Sequence, residues 1–560
     1  MSIYRLDLYV DYDIFIIYSG SIRSRASSKY KTMLLIGTLL IILLSSFTHY
    51  NKTEIKQLVW LGILVLTYTF IIQANVYNTQ LLGTAIILYN NMVLLTTYNI
   101  VISLVIIVLG LIYLVIIVDY IDYNENVRYY KEFPLLVLVN ILSIILFINS
   151  NNLILLFVTI ELQSYSLYVL TTVYCIPNSG SHEFRYSNNQ KHIRLGLIYF
   201  LLGSFASIII LLGLSILYSQ TNLVNLLDIV NYINNIWGYT DTQDYNIMLG
   251  IFLVISGLLY KIGIVPLHNW ILDIYVNTPT IITLWISIVS KLSIFTILYT
   301  IIYHISYIYA DLHIILDILN ILAILSMIVG SLGGLSQVSI KYILVYSSIT
   351  NLGYILYSLL GNNNYTLIAY LFNIAQYSLT HILLFMIVLT IMIYYTQWIT
   401  TQRYSSTSTQ VTSNILYNIN LYEILGLIKC NPILVICLII GLSSLIGIPP
   451  LSGFYGKLLL LESGLISGSW LATLVLITTS IITAFYYAYI MSVTIFKSLS
   501  TTSFISYIQS SSLGNSQTLE VNIVVAYIIS ILTVAILLPQ LLLDIYINGL
   551  LILEYYIYSY

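Results

Sequence analysis

Apolar residues arrive along this chain in long unbroken runs, and the lengths of those runs point to its architecture. They fill 33–47, 59–74, 101–118, 135–149, 153–174, 195–218, 248–265, 281–304, 314–335, 343–360, 367–395, 433–465, 471–496 and 521–543. A bilayer core is crossed by about 20 apolar residues in helical form. Lipid leaves only helices and closed barrels as spanning structures, and barrel strands alternate polar and apolar residues as these runs do not. The pattern predicts an all-α integral membrane protein of about 14 transmembrane helices. The stretch 81–92 reads as a loop or a re-entrant piece. Polar connections at 178–194, 221–245, 396–429 and 498–520 hold neither a second soluble domain nor a glycine-rich phosphate loop.

Two of the runs are interrupted, one at Pro266 and one at Pro449-Pro450 between Gly447 and Gly453. Proline removes a backbone donor and breaks the helical ladder. Such breaks belong where helices line a cavity, because the freed groups need partners there. The breaks stand 183 residues apart (449 minus 266), each in the span after a long polar connection. Paired broken helices in matching positions are the usual pointer to inverted repeats in a transporter. Gly330, Gly333 and Gly334 suit close helix packing.

Composition sharpens this reading. The chain is 59% hydrophobic and 7% charged, with a mean hydropathy of +0.96, whereas soluble domains carry roughly a quarter charged residues. A net charge of −2 gives no reason to expect nucleic acid as a partner. Cys175, Cys430 and Cys437 have neither zinc nor iron–sulfur spacing. Residues 1–32, with a basic run at Arg23, Arg25, Lys29 and Lys31, read as an extramembrane extension.

Against so apolar a background, ionisable residues inside spans need a reason. Each costs about 2.5–3.5 kcal/mol at mid-bilayer even on the lenient insertion scale. Glu161 lies mid-span, Lys261 stands five residues before Pro266, Lys291 sits near the centre of its run, and Lys457 follows the second break. One reading is structural, with carboxylate and lysine pinning neighbouring helices together, or lysines near span ends snorkelling to the interface. The other is a proton relay, since desolvation and neighbouring charge act in opposite directions on a buried lysine. His268 and His381 are candidate proton carriers in the same zone, and Asn269, Gln376 and Ser444 can hold connecting water. His49, His182, His192, His304 and His313 fall at loops or span ends.

Four motifs in order carry a family resemblance. The stretch Lys261-Ile262-Gly263-Ile264-Val265-Pro266-Leu267-His268-Asn269-Trp270, followed by Thr278-Pro279 and Ser290-Lys291, resembles the broken seventh helix and the eighth helix of the antiporter-like subunits of respiratory complex I. The stretch from Lys341 to Tyr354 is similar to their tenth helix. Gly447-Ile448-Pro449-Pro450-Leu451-Ser452-Gly453-Phe454 with Lys457 resembles the broken twelfth, and Glu161-Leu162 the fifth. The likeness runs from about residue 133 to residue 496. It implies two inverted five-helix repeats, each containing a broken helix, and a proton path joining Glu161, Lys261, Lys291 and Lys457.

The implied division is an extension at 1–32, N-terminal helices at 33–134, a first repeat at 135–310, a second at 311–497, and a C-terminal loop and helix at 498–560. The resemblance further implies a proton-translocating subunit that itself carries no cofactor. FMN, iron–sulfur clusters and ubiquinone are expected in other subunits. Implied partners are other membrane-arm subunits, especially another antiporter-like subunit and a small membrane subunit, together with lipid. The mitochondrial inner membrane is the implied location, and 53 tyrosines with eight prolines suit an AT-rich gene. A cation/proton antiporter subunit without redox coupling and a purely structural assembly subunit are the alternatives. Two departures stand out: Ile198 occupies a sixth-helix position where many relatives have lysine, and Asn351 stands where many have histidine. His381 is the candidate substitute for the latter.

Overall fold

The structure, a computed structural model, describes residues 31, 33–45, 52–79, 86–123, 132–172, 182–236, 241–308, 313–361, 364–405, 420–425, 427–429, 432–449 and 451–496. Every predicted run before residue 496 falls on a helix. The run 521–543, residues 498–560 and the extension 1–32, Lys31 apart, lie outside the described residues. In chain order the helices are α1 (Met33–Ser45), α2 (Lys52–Thr79), α3 (Thr97–Tyr123), α4 (Phe133–Ile148), α5 (Leu153–Thr172), α6 (His182–Thr221), α7 (Leu226–Ile236) and α8 (Asp241–Ile262). They continue as α9 (Asn269–Asn277), α10 (Thr280–Ile308), α11 (His313–Leu335), α12 (Ile340–Ser358), α13 (Asn364–Ser405), α14 (Pro432–Ile446), α15 (Ser452–Ser467) and α16 (Trp470–Ile495). Among the described residues nine helices are long and apolar enough to cross a membrane, and α1, α4 and α14 are shorter apolar helices.

Burial separates inner from outer helices. In the membrane-length stretches of α10 and α13, 94% of residues are buried, against 33% in α16. Helix α10 packs against α3, α4, α5, α8, α9 and α13, while α13 also touches α12, α14 and α15. Outer helices keep an apolar exposed face, as with Trp60, Leu64, Tyr68 and Ile71 on α2 and Leu474, Ile477, Ile481 and Phe485 on α16. Their three- and four-residue spacing makes one apolar stripe per helix. The three glycines of α11 serve packing: a Cβ at Gly333 would strike the Tyr346 ring, and one at Gly334 would meet Tyr486 at 3.0 Å.

Two segments differ from the sequence reading. The stretch expected to be a loop or re-entrant piece holds the first strand and turn of an antiparallel hairpin, β1 (Ile86–Leu88), whose partner β2 (Val93–Leu95) follows directly. Its turn places Tyr89, Asn90 and Asn91 at positive φ, a region that asparagine tolerates. β2 then bonds to the α4–α5 turn through Leu94 N–H to the Asn149 carbonyl and Asn151 N–H to the Met92 carbonyl, both 2.9 Å. From the other side, Leu226 N–H reaches the Asn151 carbonyl at 2.7 Å and Leu153 N–H the Val224 carbonyl at 2.9 Å. The connection 221–245 also holds more than a loop, because Ile229 and Ile233, one turn apart, bury one face of α7.

Both breaks share one construction. Helix α8 ends at Ile262 and α14 at Ile446, and each is followed by a glycine at positive φ, Gly263 at +81° and Gly447 at +87°. Gly263 N–H bonds the Leu259 carbonyl, and Ile264 N–H returns to that same carbonyl; Gly447 and Ile448 do the same with Ser443. This is the glycine-terminated C-cap, with a left-handed residue closing the last turn. The wording Gly-Ile-x-Pro-Leu recurs at 263–267 and 447–451. In each break a side chain of the second half-helix caps the first. Trp270 Nε1 donates to the Tyr260 carbonyl at 3.1 Å, and Lys457 Nζ to the Ile446 carbonyl at 2.8 Å.

A Cβ at Gly447 combines an unfavourable φ with a 3.1 Å approach to the Lys457 stem. Gly447→Ala is expected to cost about 1–3 kcal/mol, read as a lower midpoint of thermal unfolding in detergent. An unchanged midpoint would show that the break does not depend on this glycine.

Candidate functional site

Glu161 on α5 and Lys261 in the last turn of α8 form an ion pair, Nζ to Oε1 3.0 Å, with side chains 13% and 7% exposed respectively. The α8 lysine thus supplies the partner for Glu161 where Ile198 leaves α6 without one. Beside the pair lies a cavity of about 30 Å³, lined among others by Gln163, Ser164, Tyr168, Tyr199, Lys261 and Ser290. That is room for about two waters, with several polar groups to hold them.

Ser290 is the neighbour in sequence of Lys291, which is 2% exposed at the centre of α10. Among the described residues no carboxylate pairs with Lys291. Its Nζ instead lies 3.3 Å from Ser348 Oγ on α12 and 3.4 Å from Tyr377 Oη on α13. The rings of Tyr275 and Tyr377 lie beneath it, with centroids at 5.1 and 5.9 Å.

Helix α13 carries the row onward. Asn373, Gln376, Tyr377, Thr380 and His381 share the spacing of one helix face. His381 is fully buried, its ring 4.3 Å from that of Tyr377 and its Nε2 3.4 Å from Asn351 Nδ2 on α12. Asn351, which departs from the family pattern, and His381, its candidate substitute, therefore meet in space. Gln376 lies over the start of α15, where a Cβ at Gly453 or Gly456 would meet its amide at 2.9 or 2.6 Å. Asn373 Nδ2 bonds the Gly456 carbonyl at 3.3 Å. Lys457 is the next residue, its ammonium on the Ile446 carbonyl.

His268 is placed differently. It is half-buried two residues beyond Pro266, with Nδ1 3.3 Å from the Pro266 carbonyl, a contact that does not join it to a site lysine. Asn269 beside it is exposed.

The structure adds residues that sequence reasoning did not single out. Lys341, 1% exposed in the first turn of α12, donates at 2.9 Å to the Thr278 carbonyl that ends α9. A lysine at the start of a span ordinarily reads as snorkelling, which hid this one. Tyr275, Ser348 and Tyr377 were equally hard to single out among 53 tyrosines and many serines. Chemically, the row offers one acid–base pair, a water-sized cavity, hydroxyls that both donate and accept, one imidazole, and lysines with three kinds of partner. These are the parts from which a proton path is made.

The family described as NADH:quinone oxidoreductase/Mrp antiporter, TM, matches residues 150–483. NADH-ubiquinone oxidoreductase chain 2 of Candida albicans is 34% identical over 455 residues, covering 80% of this chain and 82% of the relative. The protein of the same name from Rhizopus oryzae is 32% identical over 395 residues, covering 70% and 69%. Among solved structures, a chain of respiratory complex I from Thermus thermophilus superposes with a TM-score of 0.66 at 22% identity, covering 92% of this chain and 98% of that one. A chain of the Mrp complex from Dietzia gives 0.72 at 19% identity, covering 94% and 96%. Broken helices, buried charges and a family match over more than half the sequence agree: this chain belongs to the NADH:quinone oxidoreductase/Mrp antiporter membrane family.

Proposed function

We propose that the chain is a proton-translocating membrane-arm subunit of respiratory complex I in the mitochondrial inner membrane. The observation that carries this reading is the row of buried and half-buried polar side chains from Glu161–Lys261, past the cavity at Ser290, through Lys291 and Tyr377, to Gln376 and Lys457. In this reading Lys261 holds a proton while it is paired with Glu161 and releases it when the pair opens. Water in the cavity passes the proton toward Lys291. Ser348, Tyr377 and His381 connect Lys291 with the second break, where Lys457 is the terminal carrier. The segments 135–310 and 311–497 act as two inverted repeats, each opened by its broken helix.

Redox chemistry belongs to other subunits, where FMN, iron–sulfur clusters and ubiquinone are expected, and energy arrives here as a shift in charge or conformation. The names of the fungal relatives support an assignment to the NADH-oxidising complex. The chain is expected to contact another antiporter-like subunit, a small membrane subunit and lipid.

Lys261→Ala is expected to leave assembly and NADH oxidation by artificial acceptors unchanged, while lowering quinone-linked proton translocation by about tenfold. Full translocation in that variant would remove Lys261 from the relay and favour a structural role. Glu161→Gln keeps a hydrogen-bonding side chain without the charge and is expected to lower translocation in the same assay, again with normal assembly.

A second reading, cation/proton antiport without electron transfer, draws support from the Mrp half of the family description and from the likeness in fold to the Mrp complex. The two separate on a native gel. Co-migration of the chain with NADH dehydrogenase activity is expected, and migration in a complex lacking that activity would favour the antiporter.

A further inference from the structure

Lys291 is the most deeply buried of the proposed relay lysines, and several described elements present polar or aromatic groups toward it. Helix α12 presents Ser348, and α13 presents Tyr377 with His381 one turn on. Helix α9 presents Tyr275. On the α5 side, Gln163 is engaged with Ser293 at 2.9 Å, and Lys261 of α8 lies across the cavity that Ser290 lines. Among the described residues no carboxylate completes this shell. Among the described residues the ammonium meets two hydroxyls and two aromatic rings.

The tyrosine hydroxyls are themselves committed. Tyr275 Oη donates to the Ile286 carbonyl at 3.5 Å, and Tyr377 Oη to the Ser287 carbonyl at 2.8 Å. Both acceptors lie on α10 one turn or so ahead of Lys291, so each ring is held against the helix that carries the lysine. Tyr275 is 1% exposed, and its hydroxyl points at backbone while its ring faces the ammonium at 5.1 Å. The negative face of an aromatic ring attracts a cation within about 6 Å, most strongly where water is excluded.

We propose that the Tyr275 ring, aided by that of Tyr377, takes the place of a carboxylate beneath Lys291, so that Tyr275 is the residue that lets this lysine carry charge in the bilayer. This assignment rests on the relay reading above. A carboxylate would hold the proton in a deep ion pair, whereas a ring face stabilises the cation without competing for the proton. Tyr275 therefore acts through its quadrupole and takes no part in proton transfer itself.

The test uses the intact respiratory complex with Tyr275→Phe, Tyr275→Met and, as control, Lys291→Ala. Assembly is read from artificial-acceptor NADH oxidation on a native gel, and function from protons translocated during quinone-linked turnover. Phenylalanine keeps the ring and is expected to stay within about twofold of the unsubstituted complex, while methionine fills similar space without a π face and is expected to lose roughly tenfold. Equal translocation by the two variants would overturn the proposal, because only packing would then matter. Loss in the phenylalanine variant would overturn it too, by assigning the role to the hydroxyl. If the methionine complex does not assemble, Tyr275→Leu replaces it. Failure of both to assemble beside a working phenylalanine variant assigns the ring to packing and likewise ends the proposal. Unimpaired translocation in Lys291→Ala would instead strike the relay reading itself, whatever the Tyr275 variants do.

Discussion

A helix that stops inside a bilayer strands its last carbonyls where no water can serve them, and this constraint organises the rest of the molecule. Both interrupted helices meet it in the same way. A left-handed glycine turns the chain back on the final turn, and a side chain of the following half-helix reaches across to a freed carbonyl. At the first break the capping group is the Trp270 indole, which also stacks on Tyr199 beside the cavity. At the second it is the ammonium of Lys457. Charge is therefore part of the backbone solution in one break and stands beside it in the other.

Four lysines between α8 and α15 form a graded series by partner. Lys261 has a full counter-charge, Lys291 has hydroxyls and ring faces, and Lys341 and Lys457 each have a backbone carbonyl. Leaving any of them bare would cost several kcal/mol. Each has enough to be tolerated, and among the described residues three of the four lack the carboxylate that would hold a proton fast. Lys341 differs in place as well as partner. It ties the start of α12, the helix of Ser348 and Asn351, to the end of α9, the helix of Tyr275, and so fixes two walls of the Lys291 pocket relative to each other.

Much of this was legible in the sequence for a physical reason: in lipid, run length and proline position leave few alternatives. The apolar helices up to residue 496, the two breaks and the packing role of the α11 glycines follow from that. What the sequence could not specify was pairing. Ile198 removes the local partner of Glu161, and nothing along the chain says that a lysine 100 residues later takes its place at 3.0 Å. Likewise Asn351 and His381 are 30 residues apart and meet only because α12 and α13 pack together. The hairpin at 86–95 was missed because an apolar stretch too short to span carries no periodicity that separates strand from loop. Tyr275 was invisible for a simpler reason, since one tyrosine cannot be picked from so many by its neighbours.

The α4–α5 turn, clasped by β2 on one side and by the residues leading into α7 on the other, has a mechanical corollary. A turn clasped on both faces holds the start of α5 as a fixed post, and Glu161 sits little more than two turns along it. Lys261 hangs from a helix end that closes on a single glycine, at the tip of a four-carbon stem with several rotatable bonds. In the Glu161–Lys261 pair the carboxylate side is thus the stator and the lysine side the arm. Any making and breaking of that contact is a swing of the arm.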